Sequence, residues 1–237
     1  FGSGCPSDSV NLRIDKTLSL ANKNACYSNV IRTKHFNIFT LNKIKPDSDN
    51  SIIHIYIEGD GYAWKSITTL SSNPTPKNPA GLKLALADNS DAIAYIARPC
   101  QYVKKELQKN CHSKYWSSHR YSQEVIDSLN EVIDRIKALH KKSEISLIGF
   151  SGGGTVATII AAKRSDVQWL ITVSANLDHQ AWTRYHSDTP LSGSLNAVNF
   201  AAQIRDLPQI HYSGELDEIV PFMLNKKFIK SLDQSSL

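Results

Sequence analysis

Long apolar runs and long basic runs are both missing from this 237-residue chain. A membrane-spanning helix needs about 20 predominantly apolar residues, and no segment approaches that length. The formal net charge is +5, but no run of lysine and arginine is longer than two residues. Because nucleic-acid-binding segments concentrate positive charge, this scattered pattern favours a solvated surface over a nucleic-acid partner. The content of 41% hydrophobic and 21% charged residues is typical of a globular domain.

Cysteine is scarce as well, and its four residues are too few for a small disulfide scaffold. Neither the cysteines nor the histidines show the spacing of a metal site, so we expect no metal. Cys100 and Cys111 bracket a short polar stretch between a strand pattern and a helix pattern. A disulfide between them would stabilise the fold by about 3 kcal/mol. The alternative is two reduced, buried thiols.

The amino terminus starts at Phe1 and not at methionine, which indicates either a removed leader or vector-derived residues. Gly4-Cys5 is compatible with the remnant of a bacterial lipoprotein processing site, although Gly2 stands where leucine is usual. A disulfide between Cys5 and Cys26 is the alternative, and it excludes a lipid on Cys5. Both alternatives predict a cell-envelope or secreted protein in an oxidising compartment. Contact with a membrane is expected only if Cys5 carries a lipid.

Strand-like and helix-like segments alternate from about residue 30 onwards. Apolar runs that suit strands covered on both faces occur at 52–57, 91–97, 144–150, 167–173 and 209–212. A helical stripe between two of them consists of Val125, Leu129, Val132, Ile136 and Leu139. The alternation predicts one α/β domain over residues 1–237, with a mostly parallel central sheet and helices on both faces. Residues 176–206 interrupt it and are predicted to form an irregular excursion or small cap.

A serine lies at the centre of the most informative motif. The segment Gly149-Phe150-Ser151-Gly152-Gly153 follows a buried-strand pattern and leads directly into a helix of small residues. It matches G-x-S-x-G, in which small flanking residues allow a turn sharp enough to expose a serine hydroxyl as a nucleophile. The motif therefore predicts a serine hydrolase with Ser151 as its nucleophile.

Chemically reactive residues also follow other predicted strands, where parallel sheets bind their ligands. They form the segments Glu58-Gly59-Asp60-Gly61, Asn176-Leu177-Asp178-His179 and Gly214-Glu215-Leu216-Asp217. Backbone N–H groups of Asp60, Gly61 and Gly152 are candidate donors to an oxyanion, because they lie in the glycine-rich loop and at a helix start. The helix after Ser151 adds its positive dipole end at the same place.

This order of motifs resembles the α/β-hydrolase superfamily from about residue 30 to the end of the chain. The resemblance places the nucleophile at Ser151, the orienting acid at Asp217 in Gly214-Glu215-Leu216-Asp217-Glu218-Ile219-Val220-Pro221, and the oxyanion loop at 58–61. It departs from the family at Glu58, where a histidine is frequent. Three further segments are similar to little-characterised bacterial envelope hydrolases, namely 59–64, 97–102 and 176–182.

The resemblance implies hydrolysis of an ester or thioester through an acyl-enzyme at Ser151, without a cofactor. The substrate would be a small molecule or lipid-like ester. Asp178 is the alternative acid, since some hydrolases place their carboxylate after the preceding strand; its other interpretation is a turn or helix cap.

The base histidine of the family is not evident. It follows an eighth strand in the family, whereas this chain stops 20 residues after Asp217. We expect either that a carboxyl-terminal segment is missing or that another histidine serves, with His179 the nearest to a predicted strand end.

Two other functions stay open at this point. Gly152-Gly153-Gly154-Thr155-Val156-Ala157 fits the G-x-G-x-x-A pattern of dinucleotide sites, but several strands and helices precede it and no acidic residue ends the following strand. The absence of an evident base would also suit a non-catalytic, hydrolase-fold binding protein of the envelope.

Overall fold

The computed structural model describes residues 9–45, 52–141 and 144–233. Phe1, Gly4 and Cys5 lie outside these ranges, so the lipid on Cys5 and the Cys5–Cys26 disulfide stay predictions. Within the described ranges, every helix is too short or too polar to cross a membrane.

The described chain alternates between strands and helices. The strands are β1 (Tyr27–Arg32), β2 (Asn37–Ile44), β3 (Ile52–Ile57), β4 (Ala92–Ile96), β5 (Glu144–Phe150), β6 (Val167–Val173) and β7 (Gln209–Tyr212). The α-helices are α1 (Val10–Lys23), α2 (Ala80–Ala87), α3 (Gln123–His140), α4 (Gly152–Ala161), α5 (His179–Tyr185) and α6 (Phe222–Asp233). Short 3-10 helices occupy Lys105–Leu107, Ser113–Trp116 and Ala197–Ile204.

The seven strands form one sheet in the order β1-β2-β4-β3-β5-β6-β7. β1 and β2 are antiparallel to their neighbours, and all pairs from β4 to β7 are parallel. Ile57 pairs with Gly149, Phe150 with Val173, and Val173 with Tyr212, so these strands end nearly level. The predicted α/β fold with a mostly parallel sheet is confirmed.

Helices cover both faces of the sheet. α1 and α2 pack on one face, against residues such as Phe39, Tyr56 and Tyr95. α3, α4 and the 3-10 helix Ala197–Ile204 pack on the other, against Ile55 and Leu147 among others. Neighbouring strand residues thus contribute to opposite cores, which explains why the strands read as continuous apolar runs.

Two local predictions differ from the structure. Leu139 belongs to the apolar stripe of α3 but is 68% exposed, because it lies in the last turn, next to the connection to β5. The segment 176–206, predicted to be an irregular excursion or a small cap, contains α5 and a 3-10 helix. Asp178 caps α5 by accepting a hydrogen bond from Ala181 N (3.1 Å), and Ala201 and Ile204 are buried against α4 and its neighbours. Capping and apolar spacing therefore order a segment whose polar composition suggested none.

Cys100 and Cys111 are joined in the structure, with their Cα atoms 5.6 Å apart. The bridge closes the loop that follows β4. Cys26 is buried near the end of α1, and burial raises the pKa of its thiol.

A polar cluster holds α2 to β3 at the edge where β3 begins. Asp88, directly after α2, accepts hydrogen bonds from Tyr56 Oη (2.8 Å) and Ser90 Oγ (2.6 Å) and contacts His54 Nδ1 at 2.7 Å. Burial opposes ionisation of Asp88, but the hydrogen bonds from Ser90, His54 and Tyr56 outweigh it and lower its pKa to about 2.

This depressed pKa predicts that the free energy of unfolding decreases at acidic pH. Because the pKa of an unfolded aspartate is about 3.9, the contribution of Asp88 is present above about pH 4 and is lost as the pH falls towards 2. Asp88→Asn should lower the free energy of unfolding by about 1 kcal/mol at pH 6, and the gap to the wild type should close between pH 4 and pH 2. Urea unfolding of both proteins at pH 6 and at pH 2 measures this difference in the free energy of unfolding.

Asp91→Asn is the matched control, since Asp91 pairs with Lys45 where both side chains are exposed. Its effect should stay within about 0.5 kcal/mol at either pH. An Asp88→Asn gap of equal size at pH 6 and pH 2 would contradict the proposed role of ionised Asp88.

Candidate active site

Ser151 occupies the sharp turn between β5 and α4. Its backbone has φ 50° and ψ −123°, a conformation that non-glycine residues rarely adopt. Ser151 N donates to Val173 O of β6 (2.8 Å), and Ser151 O accepts from Gly154 N (2.9 Å). Within the described residues the structure gives the Ser151 hydroxyl no hydrogen-bond partner. The turn therefore holds a strained serine whose hydroxyl remains available.

Ser151 lines a cavity of about 290 Å³ at the carboxyl edge of the sheet. The cavity is bounded by the loop after β3, by the segment that leads to α2 and by the elbow itself. Its lining residues are Glu58, Gly59, Asp60, Gly61, Tyr62, Pro76, Lys77, Asn78, Phe150 and Ser151. The structure thus brings the predicted nucleophile and the predicted oxyanion loop to one cavity.

The predicted oxyanion loop, which follows β3, is anchored at its first residue by the side chain of Glu58, which is only 2% exposed. Its carboxylate accepts hydrogen bonds from Gly59 N (3.0 Å), Gly81 N (3.0 Å), Leu82 N (3.2 Å) and Tyr95 Oη (3.0 Å). Burial raises the pKa of Glu58 although these hydrogen bonds act to lower it. Glu58, directly after β3, thus caps the first turn of α2. Its position in the sequence did not reveal this role.

The predicted oxyanion donors belong to the loop after β3, for Asp60 and Gly61, and to the start of α4, for Gly152. Gln101 Nε2 donates to Gly59 O (3.0 Å), and Gly61 has φ +71°, so the loop turns sharply beside Ser151. The N–H groups of Asp60 and Gly61 have no acceptor among the described residues. Gly152 is the first residue of α4, and helices leave their first N–H groups without an internal partner.

The Asp60 side chain has a role that the sequence did not predict. It accepts hydrogen bonds from Arg98 Nη1 (3.1 Å), Arg120 Nη1 (2.9 Å) and Tyr121 Oη (3.2 Å). Burial opposes ionisation, but Arg120 and Arg98 lower the pKa of Asp60 below its ordinary value. In the sequence, the only signal for this role was the presence of Arg98 after β4 and Arg120 before α3. That signal did not identify Asp60 as their partner.

The two candidate acids differ in their surroundings. Asp217 follows β7, and its Oδ1 accepts from Ile219 N (3.0 Å) and Val220 N (2.8 Å), whereas Oδ2 has no partner among the described residues. Asp178 uses both oxygens: Oδ1 accepts from Ala181 N (3.1 Å) and Asn196 Nδ2 (2.9 Å), and Oδ2 from Lys227 Nζ (3.1 Å). Burial opposes ionisation of Asp178, but Asn196 and Ala181 lower its pKa. Asp178 therefore caps a helix. One carboxylate oxygen of Asp217, in contrast, can still accept a hydrogen bond from another donor.

Among the described residues, no histidine is hydrogen-bonded to Ser151, Asp178 or Asp217. His179 is 4% exposed, its Nε2 lies 3.3 Å from Ser194 O, and burial lowers its pKa. His211 lies inside β7 between Thr172 and Gln209, and burial lowers its pKa to about 4. The structure therefore does not bring His179 together with the predicted nucleophile.

The glycines after Ser151 have a packing role that accounts for the apparent dinucleotide pattern. A Cβ atom on Gly153 would lie 2.2 Å from Ile57 O and 2.5 Å from Glu58 O, so α4 starts in close contact with the end of β3.

The fold and the elbow define an α/β-hydrolase. The model of the family described as serine hydrolase (FSH1) matches residues 85–237, which include Ser151, Asp178 and Asp217. The chain belongs to this serine hydrolase family.

Solved structures share the fold at low sequence identity. An esterase from Pyrococcus furiosus is 12% identical with a TM-score of 0.59, over 90% of this chain and 79% of that one. An alpha-beta serine hydrolase homologue from Coxiella burnetii is 17% identical with a TM-score of 0.58, over 89% and 83%. Est1E from Butyrivibrio proteoclasticus, solved with ferulic acid, is 14% identical with a TM-score of 0.60, over 86% and 85%. No curated protein matches the sequence.

Replacing Gly152 by alanine tests how tightly the elbow and the loop are packed. A Cβ atom there would lie 2.1 Å from Asp60 Oδ1, closer than atoms approach in proteins. Alanine favours a helix by about 1 kcal/mol over glycine, but overpacking costs about 1–3 kcal/mol. We expect Gly152→Ala to lower the free energy of unfolding, measured in urea.

Gly214→Ala is the control, because the nearest atom to its added Cβ would be 3.4 Å away. Its unfolding free energy should change by less than about 0.5 kcal/mol. Equal stabilities of the two variants would show that Asp60 moves freely away from Gly152.

Proposed function

We propose that this protein hydrolyses an ester or thioester through a covalent acyl-enzyme at Ser151. The observation that carries the proposal is the strained Ser151 elbow, which lines a cavity together with Asp60 and Gly61 and directly precedes Gly152, the first residue of α4. Donors fixed where negative charge develops lower the barrier to acyl transfer. In the first step, Ser151 Oγ attacks the substrate carbonyl and loses its proton to a base, and the alcohol or thiol leaves as it is protonated. Water then attacks the acyl-enzyme, which releases the acid and restores Ser151.

Asp217 is the proposed orienting carboxylate. It lies at the same edge of the sheet as Ser151, and its Oδ2 is available to accept a hydrogen bond from a base. Asp178 is held by three donors and stabilises α5 instead. We assign the base itself to none of the described residues, since His179 faces Ser194.

The cavity also bears on the substrate. Its volume of about 290 Å³ is at the lower end of the range for ligand pockets, about 300–1,000 Å³. A short acyl group fits it better than a long one. Two of the structural neighbours, from Pyrococcus furiosus and Butyrivibrio proteoclasticus, are an esterase and a protein solved with an aromatic acid, which supports an ester substrate.

A fluorophosphonate probe tests the nucleophile. The wild type should gain one phosphonyl group on Ser151, and Ser151→Ala should gain none, as measured by intact-protein and peptide mass spectrometry. Ser174→Ala is a matched control, because Ser174 also has positive φ (48°) at the end of a neighbouring strand. It should label like the wild type. A wild type that does not label would favour the non-catalytic binding protein.

The two acids are separated by kinetics. Asp217→Asn should lower kcat for a short-chain p-nitrophenyl ester by about 10²–10⁴-fold, as expected for a base that loses its orienting carboxylate. Asp178→Ala should lower thermal stability, because it removes a buried helix cap, and should change kcat by less than about 10-fold. The reverse pattern would assign the orienting role to Asp178.

A further inference from the structure

Three separate segments of the chain meet at the carboxylate of Asp60. Arg98 comes from the loop after β4, and Arg120 and Tyr121 come from the turn before α3. The side chain of Arg98 is 4% exposed and that of Arg120 is 12% exposed. Arg120 Nε also donates to Ser117 O (2.8 Å), and Arg98 donates to Arg120 O. These bonds fix both guanidinium groups as well as the carboxylate, so the cluster is rigid.

The cluster lies against the nucleophile elbow. Asp60 Oδ1 is so close to Gly152 Cα that a methyl group there would be 2.1 Å from it. Gly152 directly follows Ser151, and the N–H groups of Asp60 and Gly152 are two of the proposed oxyanion donors. The side chain of one donor residue therefore packs on the backbone of the other, and this contact sets the distance between them.

Charge is the second consequence of this arrangement. A lone carboxylate this close to Ser151 would oppose the negative charge that develops on the substrate oxygen, because little water screens it there. Arg98 and Arg120 together carry two positive charges, so the Asp60 cluster has a net charge of +1. The ion pairing keeps Asp60 ionised, since Arg120 and Arg98 lower its pKa, and Asp60 raises the pKa of Arg120 against the effect of burial.

We propose that Asp60, Arg98 and Arg120 are positioning residues that align the oxyanion donors and reverse the sign of the local field in favour of the transition state. The inference rests on the proposed acyl-enzyme mechanism at Ser151. Under this proposal the cluster contributes to the catalytic rate as well as to the stability of the fold. A purely structural cluster would contribute to stability alone.

Arg120→Gln and Arg120→Lys separate these two roles. Arg120→Gln removes one positive charge, and we expect kcat for a short-chain p-nitrophenyl ester to fall about 10–100-fold while KM stays within about 2-fold. Arg120→Lys keeps the charge but loses the hydrogen bond to Ser117 O, so its kcat should lie between those of Arg120→Gln and the wild type. The inhibition constant of an alkyl boronic acid, which forms an anionic tetrahedral adduct with serine, should rise with Arg120→Gln by a factor similar to the loss of kcat.

Arg164→Gln is the matched control. Arg164 is similarly buried and pairs with Asp134 (2.7 Å) and Asp166 (2.6 Å), but it lies between α4 and β6, at the opposite edge of the sheet. It should lower the melting temperature and leave kcat unchanged. If Arg120→Gln also lost only stability and kept its kcat, the inference would be overturned.

Tyr121→Phe provides a test that does not depend on a folded Arg120→Gln variant. It removes one hydrogen bond to Asp60 with almost no change in volume, and kcat should fall about 3–10-fold at constant KM. An unchanged kcat would overturn the inference. A wild type that forms no adduct with the fluorophosphonate would overturn the proposed function and this inference together, whereas a reactive wild type with an equally reactive Arg120→Gln variant would overturn the inference alone.

Discussion

The conformation of Ser151 is the constraint around which the rest of the site is arranged. A non-glycine residue with φ 50° and ψ −123° costs of order 1–3 kcal/mol, and it persists only where its surroundings fix it. Here β5 is held between β3 and β6, and the whole of α4 is buried, so the backbone on both sides of Ser151 has no freedom to relax. The sheet and helix that store this strain also present the hydroxyl to the cavity.

A pair of buried carboxyl groups is the second organising feature of this edge of the sheet. Glu58 and Asp60 are close neighbours in sequence, yet each is compensated in its own way. Glu58 is stabilised by backbone N–H groups at the start of α2, and Asp60 by two arginines. A buried carboxyl group is costly unless it is hydrogen-bonded or paired, so both arrangements are needed for the loop to fold as it does. One carboxylate anchors the loop to a helix, and the other anchors it to the elbow.

The sequence predicted most of the fold because its strands are continuous apolar runs and its elbow has few alternatives. Glu144–Phe150 and Val167–Val173 agree with the observed strands residue for residue. The sequence pattern does not predict contacts between segments that are distant along the chain. Arg98 and Arg120 are 38 and 60 residues from Asp60, and only folding brings them together. The roles of Ser151 and Asp217 stay predictions.

The close packing of Asp60 on Gly152 also restricts how related sequences diverge. A larger residue at position 152 is compatible with this backbone only if the residue at position 60 becomes smaller or moves. Loss of the Asp60 carboxylate would in turn leave two buried guanidinium groups without their counter-ion. We therefore expect positions 60, 98, 120 and 152 to change together among sequences that share this loop and elbow, as a coupled set and not as four independent sites.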